Sequence, residues 1–445
     1  MTRTIYCISI PLLRQSNTPI ESFKNKKVPF GEAMKKLIYI ILISALLLLL
    51  LCHKQSPTEP PNDNIHPQVD IPWPSLANSP WPIAHGDVQC TGRSKYQGPR
   101  EGKVCWTFTE GGMQEVNSSP VIGEDGTIYF TDRRHLYAVN PDGSLKWKFT
   151  PGRNIQASPM LGRGEVIYLG TGNLVTDPLY TSGCYYALNS DGKIIWEFHT
   201  SAFITNYSDA IGLDGTIYFA DTRGTLYALN SSGTLKWSTR GLGGLKGGEY
   251  MSIAISPDGL ILYAFGEDST LNAIDAQSSQ LIWKYHIGSD IYSSPLVDCE
   301  GNIYFYAREM DQNVICSVKP DGQLLWKYQG EEAISLAAVV HMHLDKDGNI
   351  YFVNSYQICS LSHEGNLRWA KKLPDDSNTD TPILGDCEGN IYITFRFRMV
   401  LCLDQQGNKL FECEIPKPAR GLYNGAISDD GHLYICSEAK LSCIQ

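Results

Sequence analysis

The sequence predicts an all-β protein, specifically an eight-bladed β-propeller of four-stranded antiparallel blades. Two observations favour this fold. Tryptophan recurs at intervals of 41 to 49 residues over most of the chain, and each interval repeats the same short phrases of strand-forming residues separated by Gly-containing turns. Four short strands in each repeat of roughly 40–50 residues is the pattern of a propeller blade.

The composition of the 445 residues fits a large folded domain. Apolar residues make up 42% of the chain and charged residues 19%, which is too apolar and too weakly charged for a disordered polymer. The formal net charge is -10 and the pI is about 5.5. This balance argues against a nucleic-acid partner, because such a protein needs a basic surface to neutralise phosphates.

Before the repeats, the chain begins with a segment that does not resemble a domain. Residues 1–33 are mixed and polar and contain three prolines, so we interpret them as a mis-assigned upstream extension, with translation starting at Met34. Residues 34–52 have the order of a lipoprotein signal: a short basic stretch, an uncharged apolar run and then Cys52. We therefore expect Cys52 to carry a lipid, although Leu51 occupies a position where lipoproteins usually have a smaller residue. An uncleaved signal anchor is the alternative.

Residues 53–80 are rich in Pro and small polar residues and show no apolar period. They are predicted to form an extended tether that holds the domain away from a bilayer. The propeller itself is expected to span residues 81–445.

Each repeat ends in a strand built around an aromatic ring. A Gly lies four residues before the ring in most of these strands, as in Gly143-Ser-Leu-Lys-Trp147, and a second phrase such as Asp125-Gly-Thr-Ile-Tyr-Phe130 precedes it. Asp-Gly and Glu-Gly pairs supply the positive φ angles of tight hairpin turns. Phe411 takes the ring position in the last full repeat. The repeated tryptophans are Trp106, Trp147, Trp196, Trp237, Trp283, Trp326 and Trp369.

The ends of the chain predict how the ring closes. The last repeat, from residue 424 onward, contains only three strands and no Trp strand, whereas residues 102–108 have the pattern of the missing strand. We therefore expect the N-terminal strand to complete the C-terminal blade. Closure of this kind leaves no unpaired strand edge at the point where the two ends of the ring meet.

The phrases Ala138-Val-Asn-Pro-Asp-Gly-Ser-Leu-Lys-Trp147 and Ala273-Ile-Asp-Ala-Gln-Ser-Ser-Gln-Leu-Ile-Trp283 resemble the tryptophan-docking repeat of the pyrroloquinoline-quinone-like propellers. The resemblance covers residues 80–445. That family contains quinoprotein dehydrogenases and also the propeller lipoprotein of the outer-membrane barrel assembly machinery. The resemblance therefore implies either a quinone enzyme or an envelope scaffold, since the fold alone does not fix activity.

The repeated tryptophans are interpreted as structural. A ring at the same place in every blade is expected to pack between adjacent blades and to donate its N–H to a backbone carbonyl. A stacking platform for bases or sugars would instead require the rings to be exposed on one rim.

Two small groups of residues suggest chemistry. His341, His343 and Asp345 alternate along one strand and could converge on a metal ion, but a single His-x-His in a strand is common without metal, so no metal is predicted. The acidic turns Asp298–Gly301 and Asp345–Gly348 resemble fragments of calcium loops but offer too few ligands, so they are interpreted as turns.

Thirteen cysteines are present, and eleven of them follow Cys52. Most are expected to be small buried apolar residues. Cys105 and Cys443 differ, because one lies on the predicted closing strand and the other on its predicted neighbour. We hypothesise a disulfide across this seam, which would close a very long loop.

The sequence favours a non-catalytic scaffold. The dehydrogenases of the resembled family typically carry an adjacent Cys-Cys pair, which is missing here, and no cofactor is predicted. We expect a monomeric ring that is exported and held by a lipid anchor at the periplasmic face of the outer membrane or at the cell surface. Its expected partners are envelope proteins. A glycan or small-ligand module at the propeller mouth and a quinoprotein dehydrogenase are the alternatives.

Overall fold

The computed structural model describes residues 65–445 except 117, 156, 173–181, 205–208, 241–251, 267–268, 289–290, 292, 310–311, 331–340, 355–356, 374–382, 396–398, 416–421 and 438. These residues belong to one compact unit, Asp63–Gln445. The predicted signal at residues 34–52, with Cys52, lies outside the described residues, as does the predicted extension at residues 1–33. Within the described part of the chain, no helix is long and apolar enough to cross a membrane.

The structure confirms the all-β, eight-bladed propeller. Eight sheets each contain four antiparallel strands, and in seven of them the strands are consecutive in the chain. We number the blades in chain order, so that blade 1 contains β2–β5 and blade 7 contains β26–β29, and blade 8 contains β30–β32 and β1. The strands of blades 1 to 4 are β2 (Val121–Ile122), β3 (Ile128–Thr131), β4 (Leu136–Val139), β5 (Leu145–Phe149), β6 (Met160–Gly162), β7 (Val166–Thr171), β8 (Cys184–Leu188), β9 (Ile194–His199), β10 (Ala210–Ile211), β11 (Ile217–Ala220), β12 (Leu226–Leu229), β13 (Leu235–Thr239), β14 (Ala254–Ile255), β15 (Ile261–Gly266), β16 (Thr270–Asp275) and β17 (Leu281–His286). Those of blades 5 to 8 are β18 (Leu296–Val297), β19 (Ile303–Glu309), β20 (Gln312–Val318), β21 (Leu324–Gln329), β22 (Met342–Leu344), β23 (Ile350–Asn354), β24 (Gln357–Leu361), β25 (Leu367–Lys372), β26 (Ile383–Gly385), β27 (Ile391–Phe395), β28 (Met399–Leu403), β29 (Lys409–Glu414), β30 (Leu422–Ile427), β31 (Leu433–Ser437), β32 (Lys440–Ile444) and β1 (Val104–Phe108).

Blade 8 is completed by the N-terminal strand, as the sequence predicts. β1 pairs antiparallel with β32, with Trp106 opposite Cys443. Two further hydrogen bonds between the backbones of Lys103 and Gln445 extend this ladder to the last residue. The start and the end of the domain therefore share one sheet.

In blades 1 to 7 the first strand has only two or three residues, and from blade 4 to blade 8 neighbouring first strands contact one another around the axis. The first three strands are almost wholly buried, whereas the fourth alternates between exposed and half-buried residues. The core is rich in Tyr, Phe and Ile side chains from the second and third strands of neighbouring blades. Burial of this apolar surface holds the blades together.

The half-buried tryptophans of the fourth strands link each blade to the next. Each Trp Nε1–H donates a hydrogen bond of 2.8–3.2 Å to a carbonyl in the turn before the following blade's fourth strand. The seven donor–acceptor pairs are Trp106–Pro141, Trp147–Ser190, Trp196–Ser231, Trp237–Ala276, Trp283–Pro320, Trp326–His363 and Trp369–Gln405.

The Gly found four residues before most rings receives the ring of the preceding blade. A Cβ on Gly322 would lie 2.8 Å from the ring of Trp283, and a Cβ on Gly192 would lie 2.8 Å from the ring of Trp147. Both glycines also have positive φ, +85° and +77°. The recurring Gly therefore serves a turn and a docking surface at once.

A β-bulge precedes the aromatic residue of each fourth strand, which the sequence patterns did not predict. The register of the outer strand pair shifts by one residue, so that the residue before the Trp has no direct partner. In blade 8 the bulged residue is Cys105, because Val104 pairs with Ile444 and Trp106 pairs with Cys443. Such bulges redirect a side chain and increase local twist.

The ring-docking role of the glycines can be measured with a matched pair of substitutions. Gly322→Ala should destabilise the fold by about 2–4 kcal/mol, because it combines left-handed backbone strain with a clash against Trp283. Gly215→Ala has a similar φ of +79° but open space around its Cβ, so it should cost only about 1–2 kcal/mol. Equal destabilisation of both variants in urea unfolding would contradict the docking role.

Candidate functional site

The candidate functional site lies at the end of the ring where the first strands finish. Residues 66–97, which we call the inner segment, run past these strand ends. Part of this segment had been predicted to be a free tether, residues 53–80. Within that range, His66, Gln68, Trp73 and Ala77 make hydrogen bonds to the blades.

The inner segment pairs with equivalent positions in six blades. In each blade the last backbone N–H of the first strand, or the one at the matching position, donates a hydrogen bond of 2.8–3.0 Å to a carbonyl of the segment. These N–H groups would otherwise form an unpaired inner sheet edge. The donor–acceptor pairs are Ile122–Trp81, Leu161–Pro82, Ile255–Val88, Val297–Gln89, Leu344–Thr91 and Gly385–Gly92.

The segment reaches a seventh blade through a side chain. Trp73 Nε1–H donates a 2.6 Å hydrogen bond to the carbonyl of Ile211 in blade 3. Apolar side chains reinforce the contact: Trp81, Ile83 and Val88 are almost fully buried, at 1–2% exposure. The segment is therefore part of the core at this end of the ring.

A cavity of about 760 Å³ opens at the same end. It is lined chiefly by the inner segment itself, together with Glu124, Arg163, Val297 and Cys299 from the blades. Its most constrained charge is Arg93, whose side chain is 8% exposed and bonds Asp70 Oδ1 at 3.0 Å. A ligand that entered here would meet a surface built by the segment rather than an open channel.

The structure does not bring His341, His343 and Asp345 together as one set of ligands. His343 Nδ1 lies 3.0 Å from the carbonyl of Thr91, and its ring stacks on Tyr351. His341 instead faces His85, with 6.1 Å between the ring centroids. Among the described residues, the groups that could hold a metal lie elsewhere.

Burial, rather than a charged partner, has the largest effect on the pKa values of these imidazoles. It lowers the pKa of His343 and of His85 to about 4 each. The pKa of His341 falls to about 3, first because of burial and then because of the neighbouring His85. All three rings are therefore neutral near pH 7.

The acidic turns serve the fold. Asp345 Oδ1 accepts the backbone N–H groups of Asp347 and Asn349, and its Oδ2 accepts Tyr351 Oη–H at 2.8 Å. Asp298 makes the same set of bonds in blade 5, with Tyr304 Oη–H at 2.7 Å. These carboxylates are committed to their own turns, as the sequence suggested.

Three buried carboxylates, in blades 5, 6 and 7, are not free to hold the cation of a quinone site. A pyrroloquinoline quinone enzyme of this fold would need carboxylate and amide oxygens free to hold a cation beside the cofactor. The buried Asp298, Asp345 and Asp386 each accept a Tyr hydroxyl, an Asn side chain and backbone N–H groups of their own blade. We therefore derive no chemistry from this cofactor for the described residues.

The seam cysteines lie side by side. Cys105 is exposed at the bulge of β1, and Cys443 is buried on β32. Burial, together with the neighbouring Cys105, raises the pKa of the Cys443 thiol. Both residues are free cysteines in the structure, so the seam disulfide stays a prediction. A third side chain, His432, lies beside the two cysteines, and the ligand atoms of all three are within 4.8 Å of one another. Sequence reasoning missed His432, because it is more than ten residues away from both cysteines in the chain.

The inner segment was also missed as a site. Sequence patterns gave residues 81–97 no role of their own, only a place at the start of the predicted propeller. The available signal was the run of apolar residues at 73, 76, 81, 83 and 88 among the prolines, which a free tether would not need.

Comparison with known proteins gives a consistent family. A family model described as outer membrane protein assembly factor BamB matches residues 95–251 and 244–445. The outer membrane protein assembly factor BamB of Yersinia pestis is 26% identical over 271 residues, which cover 57% of this chain and 54% of that protein. The tetrathionate hydrolase of Acidithiobacillus ferrooxidans is 27% identical over 270 residues, covering 56% of this chain and 42% of that protein. The chain thus spans about half the length of these curated relatives.

Solved structures agree on the fold. BamB from Moraxella catarrhalis has a TM-score of 0.59 at 15% identity, covering 77% of this chain and 99% of that one. Quinohemoprotein alcohol dehydrogenase from Comamonas testosteroni has a TM-score of 0.59 at 12% identity, covering 83% of this chain and 81% of that one. Both an assembly factor and enzymes share this architecture, so the fold likeness does not decide between scaffold and enzyme.

The buried His343 predicts a pH effect on stability. Its pKa falls from about 6.5 in the unfolded chain to about 4 when folded, so the unfolded state binds the proton first and stability is lost as the pH falls from about 6.5 to about 4. The equivalent residues in blades 5 and 7 are Leu296 and Leu384. His343→Leu should therefore change stability by no more than about 1 kcal/mol at pH 8 and stabilise by about 3 kcal/mol at pH 4 relative to the unsubstituted protein. Urea unfolding at both values checks this, and an equal difference at both would contradict it.

Proposed function

Because the chain belongs to the family described as outer membrane protein assembly factor BamB, we propose that it is a non-catalytic propeller scaffold of the bacterial cell envelope that acts in assembling outer-membrane proteins. Its partners would be other envelope proteins, as the name of its Yersinia pestis relative suggests. The proposal concerns the whole protein. This chain spans about half the length of the curated relatives that it matches.

The inner segment is the observation that carries the scaffold proposal. Six carbonyls of the segment accept the N–H groups at the inner ends of six blades, and Trp73 engages a seventh. The chain thereby fills the end of the ring with its own backbone. These six carbonyls are already engaged in hydrogen bonds to the blades, which supports a structural role for the segment and favours function on the outer surfaces of the ring.

The outer strands offer a suitable contact surface. Each fourth strand is a sheet edge, and on blades 4 and 5 it exposes adjacent aliphatic pairs, Leu281–Ile282 and Leu324–Leu325, at 39–49% exposure. Exposed apolar side chains beside open strand edges are the features that protein partners use. They support a role in protein contact rather than in chemistry.

The proposal includes a membrane tether. The basic stretch, apolar run and Cys52 of residues 34–52 support export and lipid attachment, with the propeller at the periplasmic face of the outer membrane or at the cell surface. A single lipid chain gives weak anchoring, so stable attachment requires more than one acyl chain.

The scaffold role predicts a specific loss on deletion. In the bacterium that encodes this chain, removal of the gene should lower the amount of folded outer-membrane barrel proteins, measured by heat-modifiability in gels. Expression of the unsubstituted protein should restore them, and Cys52→Ser should restore them only in part because it removes the anchor. Unchanged barrel levels in the deletion strain would contradict the proposal.

A second experiment separates scaffold from enzyme. Titrating the pure protein with pyrroloquinoline quinone and Ca²⁺ should leave the fluorescence of the ring tryptophans unchanged and should yield no alcohol-dependent dye reduction. Saturable quenching together with dye reduction would instead establish a quinoprotein dehydrogenase. A protein denatured and refolded without cofactor serves as the control for non-specific quenching.

A further inference from the structure

Blade 8 gathers three metal-binding side chains at the seam of the ring. The ligand atoms of Cys105, His432 and Cys443 all lie within 4.8 Å of one another. Cys105 is exposed, His432 is half-buried and Cys443 is buried, so the group spans the surface and the interior of the sheet. Cys105 comes from the first strand of the domain, whereas the other two come from its last forty residues.

The same locus holds a cation in other blades. Cys105 is the bulged residue before the ring, and its counterparts are Lys146 in blade 1 and Lys236 in blade 3. Lys146 Nζ lies 2.8 Å from Asp125 Oδ2 and 2.9 Å from Thr127 Oγ1. The propeller repeat therefore builds a pocket that accepts a positive charge from above the sheet.

Blade 3 repeats this arrangement without change. Lys236 Nζ lies 2.9 Å from Asp214 Oδ2 and 2.8 Å from Thr216 Oγ1. The carboxylate and the hydroxyl occupy the same places in the turn as Asp125 and Thr127 do in blade 1. Blade 6 has a third cation there, Arg368, whereas the bulged residues of blades 2, 4, 5 and 7 are apolar: Ile195, Ile282, Leu325 and Leu410.

In blade 8 the lysine ammonium group is absent, and side chains that can bind a metal stand around its position. Asp430 and His432 occupy the positions of Asp125 and Thr127 in the turn before the second strand. Cys105 stands where blade 1 has Lys146, and Cys443 replaces Ala138 on the third strand. The carboxylate is retained, but the positive charge that accompanies it in blades 1 and 3 is gone.

The retained carboxylate lies beside the imidazole of His432. One ring nitrogen of His432, Nδ1, lies 2.9 Å from Asp430 Oδ1. A carboxylate that bonds an imidazole fixes the orientation of the ring and raises its basicity as a ligand. This gives a histidine with a supporting group beside two thiols.

We propose that Cys105, Cys443 and His432 bind a divalent late transition metal of the zinc class at the seam of the propeller. Two thiolates and an imidazole are the ligands that zinc prefers, with a fourth, solvent-facing position left for water. Binding displaces one proton from each thiol, so the two thiolate charges balance the 2+ charge of the ion. Ligand atoms in a tetrahedral zinc site lie roughly 3.5–4 Å apart, which small side-chain rotations would reach.

The rival sites are less suited to a metal. Cys184, Glu197 and His199 form the other such group among the described residues, but it has a single thiol, and two of its members are exposed. A disulfide between Cys105 and Cys443 would use the two thiols without involving His432. The metal reading accounts for all four side chains.

The site would join the two ends of the domain. Cys105 lies on β1, and His432 and Cys443 lie in the three-strand remainder of the same blade. A metal bound by both parts stabilises the closed ring, because the unfolded chain offers no preformed site. The ion would thus cross-link β1 to the rest of blade 8.

The test uses the full chain, purified with reductant and stripped of metal by a chelator. Co²⁺ is added as a spectroscopic probe and is then displaced by Zn²⁺. One equivalent of Co²⁺ should give thiolate-to-cobalt charge-transfer and tetrahedral ligand-field bands, and Zn²⁺ at 100 times its Kd should shift the folding equilibrium by about 100-fold toward the folded state.

Two variants sharpen the test. Cys105→Lys places the lysine of blade 1 beside the retained Asp430, so it should fold as stably as the metal-free protein, lose the charge-transfer band and lose the Zn²⁺-dependent rise in melting temperature. His432→Gln should weaken binding at least 10-fold. Cys184→Ser, which removes the thiol of the other group, should leave stoichiometry and spectrum unchanged.

Three outcomes would overturn the proposal. They are cobalt spectra without thiolate bands, binding that is equal in Cys105→Lys and the unsubstituted protein, and a Cys105–Cys443 disulfide in protein isolated from cells without reductant. The last is read from peptide mapping after alkylation. None of these outcomes bears on the scaffold role, which the deletion strain tests separately.

Discussion

The constraint on which this structure depends is the pairing of strand edges. Every four-stranded blade has an inner and an outer edge, and each edge presents backbone N–H and C=O groups that need partners. The inner edges of six blades are met by carbonyls of residues 66–97. At the seam, the edge of β32 is met by β1. The outer edges, formed by the fourth strands, are sheet edges in every blade, which is why the contact surface is sought there.

A second interaction turns eight sheets into one ring. Each ring tryptophan donates to the next blade's turn and rests on the glycine or tight turn found there. The contact is directional, because the donor always belongs to the preceding blade. It therefore couples the blades in sequence around the axis, and Trp106 of blade 8 passes the coupling on to blade 1 through the carbonyl of Pro141.

These two constraints bear on function. A ring whose axis is filled by its own chain at one end, and whose buried carboxylates serve turns, is better suited to presenting surfaces than to binding a cofactor at that end. Enzymes with the same architecture show that the fold does not forbid catalysis.

The sequence by itself determined the blade number, the closing strand and the roles of the aromatic rings, because each follows from a local pattern repeated at a fixed spacing. Tertiary structure decided what no repeat encodes. Residues 66–80 have the composition of a tether, because their few apolar residues are separated by prolines and polar residues. Their hydrogen bonds, however, are to blades far away in the chain. His343 lies in β22 and Asp345 directly follows that strand, but His343 contacts the carbonyl of Thr91 and Asp345 bonds its own turn, so spacing along the chain does not bring them together. Cys105, His432 and Cys443 meet only because ring closure brings the two ends of the chain together.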